Sequence, residues 1–138
     1  MDNEISIVYR EDPEWGVIGG GIQNFNIEQA GDGNDKNLCF VLQNSEDVIL
    51  GGVIGQTHWD WLYISLMWIK EEYRGHGYGK QLLDVAEAEA KKLGAKNVYL
   101  DTFSFQAPGF YEKQGYQVFG VLDDFPLGHK RYYLTKQL

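Results

Sequence analysis

Apolar residues arrive in short blocks along this chain, and the spacing within each block predicts its element. Ile5 to Tyr9 is a brief, mostly apolar run that reads as a first strand. Asp12 and Pro13 are suited to a helix start, as N-cap and first-turn residue. Trp15, Val17, Ile18, Ile22, Phe25 and Ile27 follow within Glu14 to Ala30, interrupted by Gly19-Gly20-Gly21. Each glycine costs a helix about 1 kcal/mol relative to alanine, so this stretch is expected to be a broken or mobile helical region. Turn-forming residues at Gly31 to Asp35 and at Asn44 to Asp47 bracket a strand at Leu38 to Leu42, and a second strand at Val48 to Gly55 completes a hairpin. Gly51 and Gly52 weaken that second strand and suggest a bulge. His58 to Trp61 links it to Leu62–Ile69, which is apolar almost throughout, as a central strand covered on both faces would be.

The remaining pattern is clearer. Leu82, Leu83, Ala86, Ala90 and Leu93 recur at helical spacing within Gln81 to Leu93, basic residues gather at the end, and Gly94 suits the position beyond it. Asn97 to Asp101 is a strand. Strand, helix and strand over this length form a right-handed crossover with parallel strands. Phe105 to Gln114 reads as a short helix with Pro108 in its first turn, ended by Gly115. Tyr116 to Leu122 and Arg131 to Thr135 form a C-terminal hairpin around the turn at Asp123 to Gly128, and its strand edges are a candidate dimer surface. No internal repeat, linker or low-complexity segment interrupts the pattern, so residues 1–138 read as a single domain.

Between the apolar strand and the amphipathic helix lies Glu71-Glu72-Tyr73-Arg74-Gly75-His76-Gly77-Tyr78-Gly79-Lys80. Glycine lets bare backbone amides approach an anion, and the free N–H groups and dipole of a following helix point the same way. The stretch is therefore a candidate phosphate cradle made of main chain; the plain alternative is a turn with no ligand. A P-loop is excluded, because three residues rather than four separate Gly75 from Gly79 and Gln81 follows Lys80. A dinucleotide fingerprint is excluded because the spacing is G-x-G-x-G.

Composition narrows the classes. The 138 residues are 43% hydrophobic and 14% aromatic, which suits a globular fold. No apolar run is long enough to span a membrane, and the N-terminal Met-Asp-Asn-Glu lacks a signal-peptide pattern. Cys39 is the single cysteine, lies in an apolar run and reads as a core residue. These features suit a reducing cytoplasm. Twelve basic and 20 acidic residues give a net charge of −8, which argues against a nucleic-acid surface. The charge is compatible with a cationic small-molecule partner, and equally with plain solubility.

Two motifs carry a resemblance. Arg74-x-x-Gly77-x-Gly79 resembles the coenzyme A signature Q/R-x-x-G-x-G/A of the GNAT acetyltransferases. Ala107-Pro108-Gly109-Phe110-Tyr111-Glu112-Lys113-Gln114-Gly115-Tyr116 resembles that family's A-x-x-F-Y-E-K-x-G-F/Y, in the right order and at the right distance. The resemblance covers about residues 4 to 135. It implies an α/β (α+β) fold with a mixed, splayed sheet of about six to seven strands and helices on both faces, opening between the 62–69 and 97–101 strands. It also implies an acetyl-CoA-dependent N-acetyltransferase that moves an acetyl group to a primary amine by direct attack in a ternary complex. A non-catalytic acyl-CoA sensor or interaction module on the same fold is the alternative.

By that resemblance, the amides from Arg74 through Gly75, His76, Gly77, Tyr78 and Gly79 to Lys80 hold the pyrophosphate. The backbone of Trp68 and Ile69 pairs with the pantetheine arm, and an N–H near Ile69 polarises the thioester carbonyl. Tyr111 matches the tyrosine that protonates the departing thiolate; the alternative is a packed core tyrosine. Ser104 stands where many members carry asparagine, and Gln106 is a substitute for that contact. An amine must lose a proton to attack, and the candidate bases are Asp101, Asp60, His58 and Glu46, with Asp101 favoured by its place at a strand end; a water chain is the alternative to any of them. Asp123 and Asp124 are candidates for attracting a cationic acceptor. The glycine-interrupted segment 14–30 is a candidate wall over the acceptor site or, alternatively, a poorly packed helix with a close backbone contact. The acceptor is a small-molecule or peptide amine. His58, His76 and His129 lack metal-ligand spacing, so no metal is expected.

Overall fold

The computed structural model describes residues 3–138; Met1 and Asp2, part of the N-terminal run read above for a targeting signal, lie outside them. The chain forms two compact units, divided between Gly33 and Asn34.

The first unit contains one helix, α1 (Trp15–Ala30), and none of its residues is buried. The helix runs through Gly19, Gly20 and Gly21 without the break that was one of the two expectations for this stretch. Glycine lowers helix stability but does not forbid helical backbone angles, and no proline, which would remove a donor, lies within the span. No atom comes within 4 Å of a Cβ built on any of the three, so they mark no close backbone contact. Glu14, not Asp12, is the N-cap, and it makes no side-chain capping bond. Ile5 to Tyr9 is not a strand.

The second unit is a six-stranded mixed sheet. Its strands are β1 (Lys36–Gln43), β2 (Ile49–His58), β3 (Trp61–Ile69), β4 (Asn97–Phe103), β5 (Gln117–Asp123) and β6 (Lys130–Gln137). They lie in the order β1-β2-β3-β4-β6-β5, and only β3 and β4 are parallel. The β3–β4 crossover carries α2 (Tyr78–Lys92), and α3 (Pro108–Lys113) precedes β5. This is an α/β fold. Among the described residues, no helix is long and apolar enough to cross a membrane.

The core lies between α2 and one face of the sheet. Leu82, Leu83, Ala86 and Ala90 of α2 join Leu62, Ile64, Val98, Leu100 and Leu134 of the strands in one buried cluster. Fully burying an aliphatic side chain of this size contributes roughly 1.5–3 kcal/mol, and this helical stripe was plain in the sequence. Strand alternation sends the neighbours the other way. Cys39, expected in the core, is exposed because Leu38 beside it points inward. β3 is likewise not covered on both faces: Leu62 and Ile64 are buried, whereas Leu66 and Trp68 are exposed.

Glycine at position 51 is required by packing. A Cβ there would stand 2.7 Å from the Trp68 carbonyl oxygen on the adjacent strand. The expected bulge occurs beside it, as a register shift between Leu42 and Gln43, and a second shift falls between Ile54 and Gly55 against β3.

Candidate active site

The sheet opens where the site lies. β3 and β4 pair from Trp61–Asn97 to Ile64–Leu100 and no further, so Ser65 to Ile69 of β3 lose their β4 neighbour. Register on the other side of β3 decides which amides face the opening. Lys70 N–H donates to the Leu50 carbonyl at 2.8 Å, which makes the facing residues Gly51 and Ile69 a non-hydrogen-bonded pair. The Ile69 amide and carbonyl therefore turn away from β2, towards the side β4 has left. That carbonyl accepts a bond from Arg74 Nε at 2.8 Å. Trp68 is paired with Gly52 and its backbone turns into the sheet, towards β2.

Beyond β3, a 3₁₀ turn at Glu71–Tyr73 leads into the glycine loop. The helix starts earlier than the apolar spacing indicated: α2 begins at Tyr78, with Gly77 as N-cap in the left-handed region, φ 83°. Gly79 and Lys80 thus belong to its first turn, where backbone N–H groups are free of intrahelical partners. No atom lies within 4 Å of a Cβ built on Gly75 or Gly77. A cavity of about 620 Å³ is lined here by Ile69, Arg74, Gly75, Gly77, Tyr78, Gly79, Lys80 and Tyr111, among others. His76 is not among its lining residues. Lys80 pairs with Asp84 at 2.8 Å, and that bond raises its pKa.

A second cavity of about 640 Å³ occupies the cleft between the parted strands. It shares Met67, Trp68, Ile69, Arg74, Ala107 and Tyr111 with the glycine-loop cavity, so Tyr111 stands where the two meet. Pro108 at the start of α3 and Gly115 beyond its end (φ 94°) delimit the short helix that carries it. Tyr111 is buried, with its ring edge-on to Phe110 and Tyr116. Burial, followed by the Asp101 carboxylate, raises its pKa above the ordinary phenol value. Tyr116 is held behind it: its hydroxyl donates to Glu87 Oε2 at 2.9 Å, and Lys136 Nζ donates to Glu87 Oε1 at 2.8 Å.

Asp101 lines the cleft, but its carboxylate already has partners. Oδ1 accepts from Arg131 Nε at 3.0 Å and from Arg131 Nη2 at 2.6 Å, and Oδ2 accepts from the Tyr63 hydroxyl at 2.8 Å. Burial first and this bond second push the Tyr63 phenol up to about 12. Arg131 is flanked by the rings of Phe103, Phe125 and Tyr133 at 5.0–5.4 Å. Sequence reading missed both Tyr63 and Arg131, which lie in strands 38 and 30 positions from their partner. Only the alternation of β3, which sends Tyr63 to the face opposite Leu62 and Ile64, could have pointed to it.

Ser104 lines neither cavity. Its hydroxyl accepts from the Lys130 N–H at 3.0 Å and ties the start of β6. Gln106 does line the cleft, with Oε1 accepting from Phe103 N–H at 2.8 Å. Glu46, Asp60, Asp123 and Asp124 lie outside the cleft. Glu46 is in the β1–β2 turn and Asp60 in the β2–β3 turn. Asp123 pairs with Lys130, and Asp124 accepts from Gly128 N–H. Among the described residues, no group of three or more His, Cys, Asp and Glu side chains is placed to hold a metal ion.

The model of the Acetyltransferase (GNAT) family matches residues 6–116. This chain belongs to the GNAT acetyltransferase family. The chain is 37% identical to a blasticidin-S acetyltransferase from Streptomyces morookaense over 91 residues, 65% of this chain and 67% of that one. It is 32% identical to an acetyltransferase from Agrobacterium fabrum over 113 residues, 82% of each chain. Among solved structures, an acetyltransferase from Bacillus cereus matches with a TM-score of 0.88 at 35% identity, over 99% of this chain and 98% of that one. This GNAT protein is thus an acetyl-transferring enzyme.

Proposed function

We propose that this enzyme is an N-acetyltransferase that uses acetyl-CoA and a primary amine, with direct transfer in a ternary complex. The observation that carries the reading is the junction at Tyr111, which lines both the glycine-loop cavity and the cleft. The loop fits the coenzyme: Gly75 and Gly77 leave open space where side chains would intrude, and the first-turn amides of α2 favour an anion. Arg74 through Lys80 hold the pyrophosphate through main chain, and the open edge at Ile69 receives the pantetheine arm.

Acetyl-CoA, when bound, supplies a thioester whose acetyl group passes to nitrogen. The Ile69 N–H is free to stabilise negative charge developing on the carbonyl oxygen. Tyr111, kept protonated by burial, holds the proton that the departing sulfur needs; a phenol near a thiol of pKa about 8.5 serves that purpose. Asp101 is the carboxylate in the cleft and takes up the amine proton, directly or through Tyr63. Cys39 lies on β1, outside the cleft, which favours direct transfer over an acyl-enzyme. The resemblance to an enzyme whose name specifies blasticidin-S makes small-molecule amines the first acceptors to screen.

The test is a thermal-shift titration with acetyl-CoA, with NAD and ATP as controls, followed by release of free CoA with a panel of primary amines. Saturation at about 100 times Kd adds roughly 2.7 kcal/mol. A shift with acetyl-CoA alone and amine-dependent CoA release are expected. No shift in the folded protein would overturn the cradle, and binding without turnover on any amine would overturn the transfer reading.

A further inference from the structure

A third cavity, of about 550 Å³, lies on the sheet face opposite α2, lined by Asp35, Gln56, His58, Trp59, Trp61, Tyr63 and Tyr99. Three of its rings form a continuous array: Tyr63 stacks on Tyr99 at 4.8 Å and 26°, and Trp61 meets Tyr99 edge-on at 5.9 Å. The array follows from register, since Tyr63 and Tyr99 are paired across the last stretch where β3 and β4 remain together. Trp61 and Tyr99 are nonetheless 40% and 36% exposed. The rim carries the Asp35 carboxylate, bonded through Oδ1 to His58 Nδ1, and no lysine or arginine lines the cavity. Tyr63 belongs to both this cavity and the cleft: its ring is a wall of the first, and its hydroxyl reaches Asp101 in the second.

We propose that this aromatic cavity, joined to the cleft through Tyr63, is the acceptor subsite for a flat cationic group such as a guanidinium, carried by a substrate whose primary amine reaches the cleft. Planar cations are attracted to the faces of Trp and Tyr rings, and guanidinium groups also stack on them. The adjacent carboxylate and the absence of a lining lysine or arginine add the complementary charge. Tyr63 donates its proton to Asp101, which leaves its oxygen lone pairs to accept from an incoming N–H and orient the amine. The proposal rests on the acetyl-transfer reading above for its kinetic test but not for its binding test.

The probes are agmatine, a primary amine with a guanidinium at its far end, and pentylamine, which lacks that group. With acetyl-CoA, kcat/KM for agmatine is expected to exceed that for pentylamine by at least about tenfold, the scale of one good cation–aromatic contact with its charge partner. Trp61→Ala and Tyr99→Ala should each bring the ratio down to about one, and Tyr99→Phe, which keeps the ring, should preserve it. Retention of the acetyl-CoA thermal shift shows that a variant has folded. Without acetyl-CoA, agmatine should quench tryptophan fluorescence saturably, and Tyr99→Ala should remove the effect. Equal kcat/KM for the two amines in the unaltered enzyme, or a ratio that the alanine variants leave in place, would overturn the subsite while the acetyl-transfer reading stands. If no amine is acetylated but agmatine binding is saturable and lost in Tyr99→Ala, the subsite stands and the transfer reading falls. Absence of agmatine binding overturns the subsite.

Discussion

The Tyr63 hydroxyl donates at 2.8 Å to Oδ2 of Asp101, the residue just beyond the last paired position of β4 against β3. The bond spans the root of the cleft and joins the only strands of the sheet that run parallel. With Arg131 on the other oxygen, it fixes the carboxylate that the proposed reaction uses. Tyr63→Phe keeps the ring and removes the donor. We expect kcat/KM to fall several-fold while the variant stays folded; steady-state kinetics, with a thermal melt in parallel, check this.

Asp101→Asn should cost both stability and activity. It leaves the Arg131 guanidinium without its carboxylate at a partly buried site, a loss of roughly 1–3 kcal/mol. Urea denaturation measures the first effect. A fall in turnover well beyond the small unfolded fraction, at saturating acetyl-CoA, separates the second.

Tyr111→Phe should lower kcat while acetyl-CoA affinity, measured by calorimetry, stays within a few-fold. The ring is packed against Phe110 and Tyr116, and phenylalanine retains that packing. Unchanged turnover would make Tyr111 a purely structural residue.

Gly77→Val should abolish acetyl-CoA binding. The residue is held at φ 83°, where an L side chain costs about 1–2 kcal/mol, and its Cβ would enter the open space of the cradle. Calorimetry on the folded variant checks this, and wild-type affinity would sink the cradle. Gly51→Ala provides a contrast outside the loop. Its Cβ would meet the Trp68 carbonyl, and an overpacking cost of about 1–3 kcal/mol is expected.

Stability should fall in alkali. Tyr63 is pushed up to about 12 in the folded state, against an ordinary phenol value of about 10 when unfolded; Tyr116 is raised too, by burial and by Glu87. Between the two values the unfolded chain has lost protons that the folded chain keeps. The contribution is complete below pH about 10 and is lost as pH rises towards about 12. Melting temperature against pH, with tyrosinate absorbance followed in parallel, tests the sign: late-titrating tyrosines should ionise together with unfolding.

Much of the second unit was legible in the sequence because its signals are local. The stripe from Leu82 to Ala90, the hairpin turn at Asn44 to Asp47 and the glycines of the loop each act over a few residues. Where local reading failed, a distant partner or its absence decided. Ile5 to Tyr9 has strand chemistry but forms no strand, and Cys39 sits in an apolar run yet points away from the core. Gly19 to Gly21 weaken α1 without breaking it, because glycine's cost is a free energy and not a steric ban.

The sequence by itself determined that a glycine-rich loop precedes an amphipathic helix and that a Phe-Tyr pair follows at family spacing; those choices are written in contiguous residues. Tertiary structure alone decided that Ile69, and not Trp68, turns its amide to the cleft, because strand pairing and its bulges set which backbone groups remain free. It also decided that Asp101 meets Arg131 and Tyr63, and that Tyr63, Tyr99 and Trp61 form one aromatic wall. These relationships depend on strand order and register, which bring together side chains 30 or more positions apart, and no local pattern encodes that distance.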